Sequence, residues 1–243
     1  GKKENKFGVN EKTFFKLVNY CKNSKNIDLK CLSVHIGSQI LNHRPYEKML
    51  KVIDEILNKT DHQFEFIDLG GGMGIAYSDK NKKLNYKKYN KAILKFLEKR
   101  KVKIIFEPGR SIIGDTATLI TKVIYIKDSE RKKFIILDAA MNDLMRPALY
   151  GAEHRTLPVN KSNKISKKIY EFVGPICEST DKFITLKNFQ VLKEKDLVAI
   201  CDVGAYGMSL SSNYNLRPKA VELLIKGSKI NVIRKRQKHK DLI

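Results

Sequence analysis

Three short segments in the first half of the chain gather residue types that can do chemistry: HIGSQ (residues 35–39), LGGGMG (69–74) and EPGR (107–110). Together they offer an imidazole (His35), a hydroxyl (Ser38), a run of glycine amides (Gly70, Gly71, Gly72) and a carboxylate (Glu107), then Gly109 and a guanidinium (Arg110). A glycine-rich turn straight after a strand usually means backbone approaching a ligand closely, most often a phosphate. Two familiar phosphate patterns do not fit. The sixth position of a G-x-G-x-x-G fingerprint is Ile75 counted from Gly70, and Tyr77 counted from Gly72. Nor does a Lys followed by Ser or Thr come directly after the loop, as a P-loop needs.

The elements that must position these segments read as follows. Phe14, Leu17, Val18 and Cys21 recur at helical spacing after a possible cap at Asn10, and LKCLSVHIG (29–37) reads as a buried strand ending in a turn. Residues 46–59 place Met49, Leu50, Ile53, Ile56 and Leu57 on one helical face. The strand FEFIDL (64–69), a second amphipathic helix over 89–100 and the strand-like VKIIFEPGR (102–110) complete a βαβ rhythm, which means a parallel sheet or a β/α barrel. Near residue 113 the rhythm gives way to short strands joined by turns: TLITKVIYIK, KFIILDA, KIYEFVGP, KDLVAICDVG and AVELLIKGSKINVI, the last a hairpin across Lys226–Gly227–Ser228. The expected fold class is α/β: a partial β/α barrel over 1–112, followed by a mostly antiparallel β domain over 113–243.

In β/α barrels ligands sit on the loops at the C-terminal ends of the strands. That rule brings the three segments together. The amides of Gly70–Gly72, with Ser38 as a further donor, would hold a phosphate. Glu107 leaves an apolar strand, so it is expected to be partly buried and to need a cationic partner. A phosphate plus a protonatable ring nitrogen describes pyridoxal 5'-phosphate, whose pyridine becomes a strong electron sink beside a carboxylate, with His35 packing flat on the ring. Singly, each feature has a plainer reading: a structural histidine, an ordinary turn, a surface ion pair. The signal is their succession at three strand ends.

Composition bounds the rest. At 243 residues and 42% hydrophobic content the chain can bury a real core, and no apolar run approaches a membrane span. Cys21, Cys31, Cys177 and Cys201 lie far apart, which argues against a zinc site or a disulfide framework and for a reducing compartment. The net charge of +22 asks for an anionic partner, and VIRKRQKHK (232–240) is the densest basic run. The lysines are nevertheless scattered, without aromatic interleaving, so no specific nucleic-acid partner is expected and no membrane one either.

FGV, HIGSQ, LGGGMGI, EPGRSIIGDTATLITKV, LDAAMNDLMRPALYGA, GPICESTD and DVGAYGMSLSSNYNLRPKAVELLI occur in an order and spacing that resembles the diaminopimelate decarboxylase family over essentially the whole chain. The resemblance implies a PLP-dependent enzyme with an alanine-racemase-like barrel and a β domain, forming L-lysine from meso-diaminopimelate in the cytoplasm, or in a plastid in a plant-type source. It implies that Gly70, Gly71, Gly72, Gly109 and Ser38 serve the phosphate and that Glu107 faces the pyridine. Arg110 would contact phosphate or substrate, and Arg146 with Tyr150 the substrate. Cys177 would be the general acid, Glu178 the partner of the distal ammonium, and Tyr206 a contact of both phosphate and substrate. It also implies a homodimer in which the Cys177–Glu178 loop reaches the other subunit's site. The family's cofactor lysine lies on an early barrel strand, upstream of the point that matches the opening of this chain, and Lys6 has the wrong context. The chain is therefore expected to be a C-terminal part that lacks much of the catalysis on its own. Two alternatives stay open: a related decarboxylase of ornithine, arginine or a polyamine precursor, and a non-catalytic homologue that lost the lysine.

Overall fold

Residues 6–78 and 81–243 are described by a computed structural model. The chain divides into two units, Gly1–Ile112 and Ile113–Ile243.

The first unit is built on three parallel strands, β1 (Cys31–Ser33), β2 (Phe66–Asp68) and β3 (Lys103–Ile105), with β2 in the middle. Helix α1 (Glu11–Lys22) precedes them; α2 (Arg44–Lys59) and α3 (Tyr86–Leu97) are the crossovers. Each helix start has a local cause. The Asn10 side chain accepts the Thr13 amide at 2.9 Å and the Asn85 side chain accepts the Lys88 amide at 3.0 Å, while α2 opens with Pro45 in its first turn. Tyr46, Met49, Leu50 and Ile53 of α2 and Tyr89, Ile93 and Phe96 of α3 bury one face against Leu32, Ile67 and Leu69. Leu17, expected on the buried face of α1, is exposed, and Val18 is the buried residue of that helix. The sheet is open beyond β3, where Ile105 and Phe106 are 39% and 41% exposed.

The second unit has a six-stranded mixed sheet made of β4 (Leu119–Asp128), β5 (Lys132–Leu137), β6 (Thr156–Pro158), β7 (Ile169–Val173), β8 (Lys182–Leu186) and β9 (Leu197–Ile200), in the order β6-β9-β4-β5-β7-β8. All neighbours are antiparallel except β5 and β7. Alternate residues point into one core: Ile135 and Leu137 from β5, Tyr170 and Phe172 from β7, Val198 and Ile200 from β9. Tyr170, Phe172 and Phe189 contact one another with ring centroids 5.1–6.2 Å apart. Strands β10 (Glu222–Lys226) and β11 (Lys229–Arg234) form a separate hairpin that turns at Gly227, where φ is +60°. The remaining described elements are two short α-helices, α4 (Arg110–Ile113) and α5 (Arg146–Tyr150), and three 3-10 turns at Met208–Leu210, Tyr214–Leu216 and His239–Asp241. Among the described residues no helix is long and apolar enough to cross a membrane, and no cluster of His, Cys, Asp or Glu could hold a metal ion.

Candidate functional site

In the first unit the three strand ends lie side by side because the parallel register sets Ser33 opposite Asp68 and Asp68 opposite Ile105. The ladder continues past the strands: Val34 N–H donates to Asp68, Leu69 N–H to Ile105, and Glu107 N–H to the Gly70 carbonyl. The glycines permit this crowding. A Cβ on Gly70 would overlap the Val34 carbonyl, one on Gly71 the Glu107 carbonyl, and one on Gly72 the Gly37 carbonyl. Gly70 and Gly72 also have φ of +65° and +88°. So LGGGMG is glycine-rich first because three loops touch there through backbone.

The donors sort accordingly. The Gly70 amide donates to Asp68 Oδ1 at 2.8 Å, and the Gly71 amide to His35 Nδ1 at 3.4 Å. Asp68 is buried and takes a second bond from Ser33 Oγ. The Gly72 amide has no acceptor among the described residues. Gly72 packs on Gly37, next to Ser38, whose hydroxyl accepts Arg110 Nη2 at 3.3 Å; Arg110 Nη1 donates to Tyr77 Oη at 2.5 Å. A guanidinium and a hydroxyl are therefore paired, with the glycine turn packed against the residue before that hydroxyl, a set suited to an anion. Gly109 has open space around it and its carbonyl accepts the Ile112 amide. His35 is exposed. The expectation that Glu107 is partly buried and paired is not met. It is exposed and makes no ion pair among the described residues, because it leaves the open edge strand β3.

In the second unit Arg146 opens α5 and is only 6% exposed. Its Nη1 lies 2.9 Å from His154 Nε2, and His154 Nδ1 lies 3.0 Å from the Cys201 carbonyl. A carbonyl can only accept and a guanidinium only donate, so His154 is neutral with its proton on Nδ1. Tyr150, at the other end of α5, is 67% exposed, and the helix stops at Gly151 in the left-handed conformation. Cys177 and Glu178 are both exposed on the loop between β7 and β8. The Tyr214 hydroxyl donates to the Glu178 carboxylate, and this raises the phenol's pKa. Tyr206 has φ of +62° in the DVGAYG turn. That turn is fixed by buried Asp202, itself left-handed, which accepts both Nε and Nη2 of Arg155 at 2.7 and 2.8 Å.

Sequence reasoning gave no role to Asp68, His154, Asp181, Asp202 or Tyr214. Each is a polar residue inside a quoted motif or just beyond one, and only burial and partner geometry set it apart.

Residues 26–204 match the family model for the C-terminal sheet domain of pyridoxal-dependent decarboxylases. Diaminopimelate decarboxylase of Helicobacter pylori is 40% identical over 248 residues, covering all of this chain and 60% of the relative. The Aquifex aeolicus enzyme of the same name is 38% identical, covering 98% and 57%. A crystal structure of diaminopimelate decarboxylase from Helicobacter pylori complexed with L-lysine superposes with a TM-score of 0.90 at 40% identity, over 99% of this chain and 60% of that one. The chain thus spans about three fifths of the length of the relatives it matches.

Proposed function

The chain belongs to the pyridoxal-dependent decarboxylases, and from that premise we propose that the protein removes carbon dioxide from meso-diaminopimelate to give L-lysine. The observation that carries the reading is likeness to diaminopimelate decarboxylases at 38–40% identity along 98–100% of the chain.

The residues present fit the cofactor. The Arg110–Ser38 pair and the neighbouring Gly72 amide supply three kinds of donor for a phosphate, and the exposed Glu107 can sustain a proton on a ring nitrogen. Bound pyridoxal phosphate supplies the electron sink that lets a carboxylate leave an α-carbon. The rest falls to this chain. His35 would face the ring, and Tyr206 would donate to phosphate and substrate. Arg146, with Tyr150, binds the carboxylate at the non-reacting end through its planar fork, and Glu178 binds the distal ammonium. The Cys177 thiol gives its proton to the carbon that has lost carbon dioxide and, being exposed, regains one from solvent. A decarboxylase of ornithine or another diamine precursor needs only a partner for the distal cation and no fork for a second carboxylate.

Within the same reading, β1–β3 are strands of a larger β/α barrel, the division at 112/113 separates cofactor and β domains, and the protein is a cytoplasmic homodimer. The experiment is carbon dioxide release by the full-length protein with pyridoxal phosphate, from meso-diaminopimelate and from ornithine. Release from diaminopimelate alone is expected. Release from ornithine, or from neither, overturns the reading.

A further inference from the structure

The loop that carries Cys177 and Glu178 runs from Gly174 to Asp181, and its shape is set by its last residue. Asp181 is 3% exposed. Its Oδ2 accepts the Ile176 amide at 2.8 Å, just before Cys177, and its backbone N–H donates to the Glu178 carbonyl at 3.0 Å. The Gly174 amide donates to the Asp181 carbonyl at 3.0 Å, and a Cβ on Gly174 would fall on the Asp181 carboxylate. A brace for this loop alone would need one carboxylate oxygen. The other reaches a different segment: Oδ1 accepts the Met141 amide at 2.7 Å, five residues before Arg146.

From Met141 the connection closes on itself. Next along the chain is Asn142, fully buried; its carbonyl accepts the Ser212 amide and its Oδ1 accepts Arg217 Nε, each at 2.9 Å. Two residues beyond Ser212, Tyr214 donates to Glu178. A closed circuit of hydrogen bonds and short chain segments therefore runs from Asp181 through Met141–Asn142 and Ser212–Tyr214 to Glu178, and back into the loop.

We propose that Asp181 is a positioning residue that holds the Cys177–Glu178 loop and the segment leading into Arg146 in one register, so that the acid, the ammonium partner and the carboxylate fork are placed as a set. The catalytic part of this rests on the decarboxylase reading; the mechanical part does not.

Asp181→Asn keeps the size but offers one acceptor where two amides need one each. Hydrogen exchange on the full-length protein should then show the Ile176 and Met141 amides opening together, by about tenfold or more, with Val123 and Ile135 in the sheet unchanged. Turnover of diaminopimelate should show a fall in kcat and a rise in KM of about tenfold each. Ile135→Val, a core change of comparable cost, should alter neither. Unchanged exchange at Met141, or kinetics like those of Ile135→Val, overturns the proposal. Should Asp181→Asn not fold, the unsubstituted protein decides. If the two amides open as one unit held by one carboxylate, their protection factors agree within about tenfold, and a larger gap overturns the link. Absence of decarboxylation in the unsubstituted protein sinks the enzymatic reading, and the exchange measurement still decides the mechanical one.

Discussion

Cys177 is exposed, and its substitution has little packing to lose. Cys177→Ala should leave stability within about 0.5 kcal/mol and cofactor content unchanged, while turnover falls about a hundredfold or more, the scale of a lost general acid. Unchanged carbon dioxide release would remove the acid role. Arg146 is the opposite case: buried, with His154 Nε2 accepting from it. Arg146→Ala should raise KM steeply, because the substrate carboxylate loses its fork, and also cost about 1–3 kcal/mol because His154 loses its donor. Urea titration beside steady-state kinetics checks both effects, and an unchanged KM would sink the substrate assignment. The sequence made Cys177, Glu178 and Arg146 visible as residue types within motifs. It could not show that Glu107 is exposed, since an apolar strand reads the same whether or not another strand covers it.

The glycine loop is an element in which steric demand varies from one residue to the next. Gly71 has no positive φ, so Gly71→Ala tests contact alone: its methyl meets the Glu107 carbonyl and should cost about 1–3 kcal/mol. Gly109→Ala meets open space and should change stability by less than about 0.5 kcal/mol. Denaturation midpoints of the two variants, measured side by side, check this, and equal values would mean that the three loops do not touch as described. The same element shows how far periodicity reaches. α2 and its buried face were legible because Met49, Leu50, Ile53, Ile56 and Leu57 repeat at helical spacing over about two and a half turns. α3 begins at Tyr86, three residues before the expected start, because the Asn85 cap precedes its first apolar repeat. β6 and β8 were missed: the first is three residues long with Pro158 at the sheet edge, and the second is five residues with no clean alternation. The β10–β11 hairpin was legible from its turn residues alone.

At the scale of the whole molecule, a formal charge of +22 sets long-range repulsion against a few short ion pairs. Hydrogen bonds from Lys22 hold the Asp61 carboxyl below its ordinary range, and bonds from Lys168 and Lys133 do the same for Asp128. Burial pushes Glu171 up, but bonds from Lys132 and Lys182 outweigh it and the net shift is down. The stabilisation from these three is present above the ordinary carboxylate range and is lost as pH falls through the lowered values. Burial raises Asp143 and Asp181 despite amide hydrogen bonds and Arg217. Their contribution has the opposite sign: it is present below the ordinary value and is lost as pH rises through the raised ones. Acidification from pH 7 to about pH 5 begins to neutralise exposed carboxylates and adds to the positive charge. Screening acts on charges farther apart than about 10 Å at 0.1 M salt and about 3 Å at 1 M, so added salt removes repulsion between distant lysines before it weakens contacts such as Lys22–Asp61 at 2.5 Å. Thermal melting should therefore move upward as sodium chloride is raised from about 0.05 to about 0.5 M, and further at pH 5 than at pH 7. A melting temperature that falls with salt would mean that the local pairs, not the net charge, dominate the electrostatics of this fold.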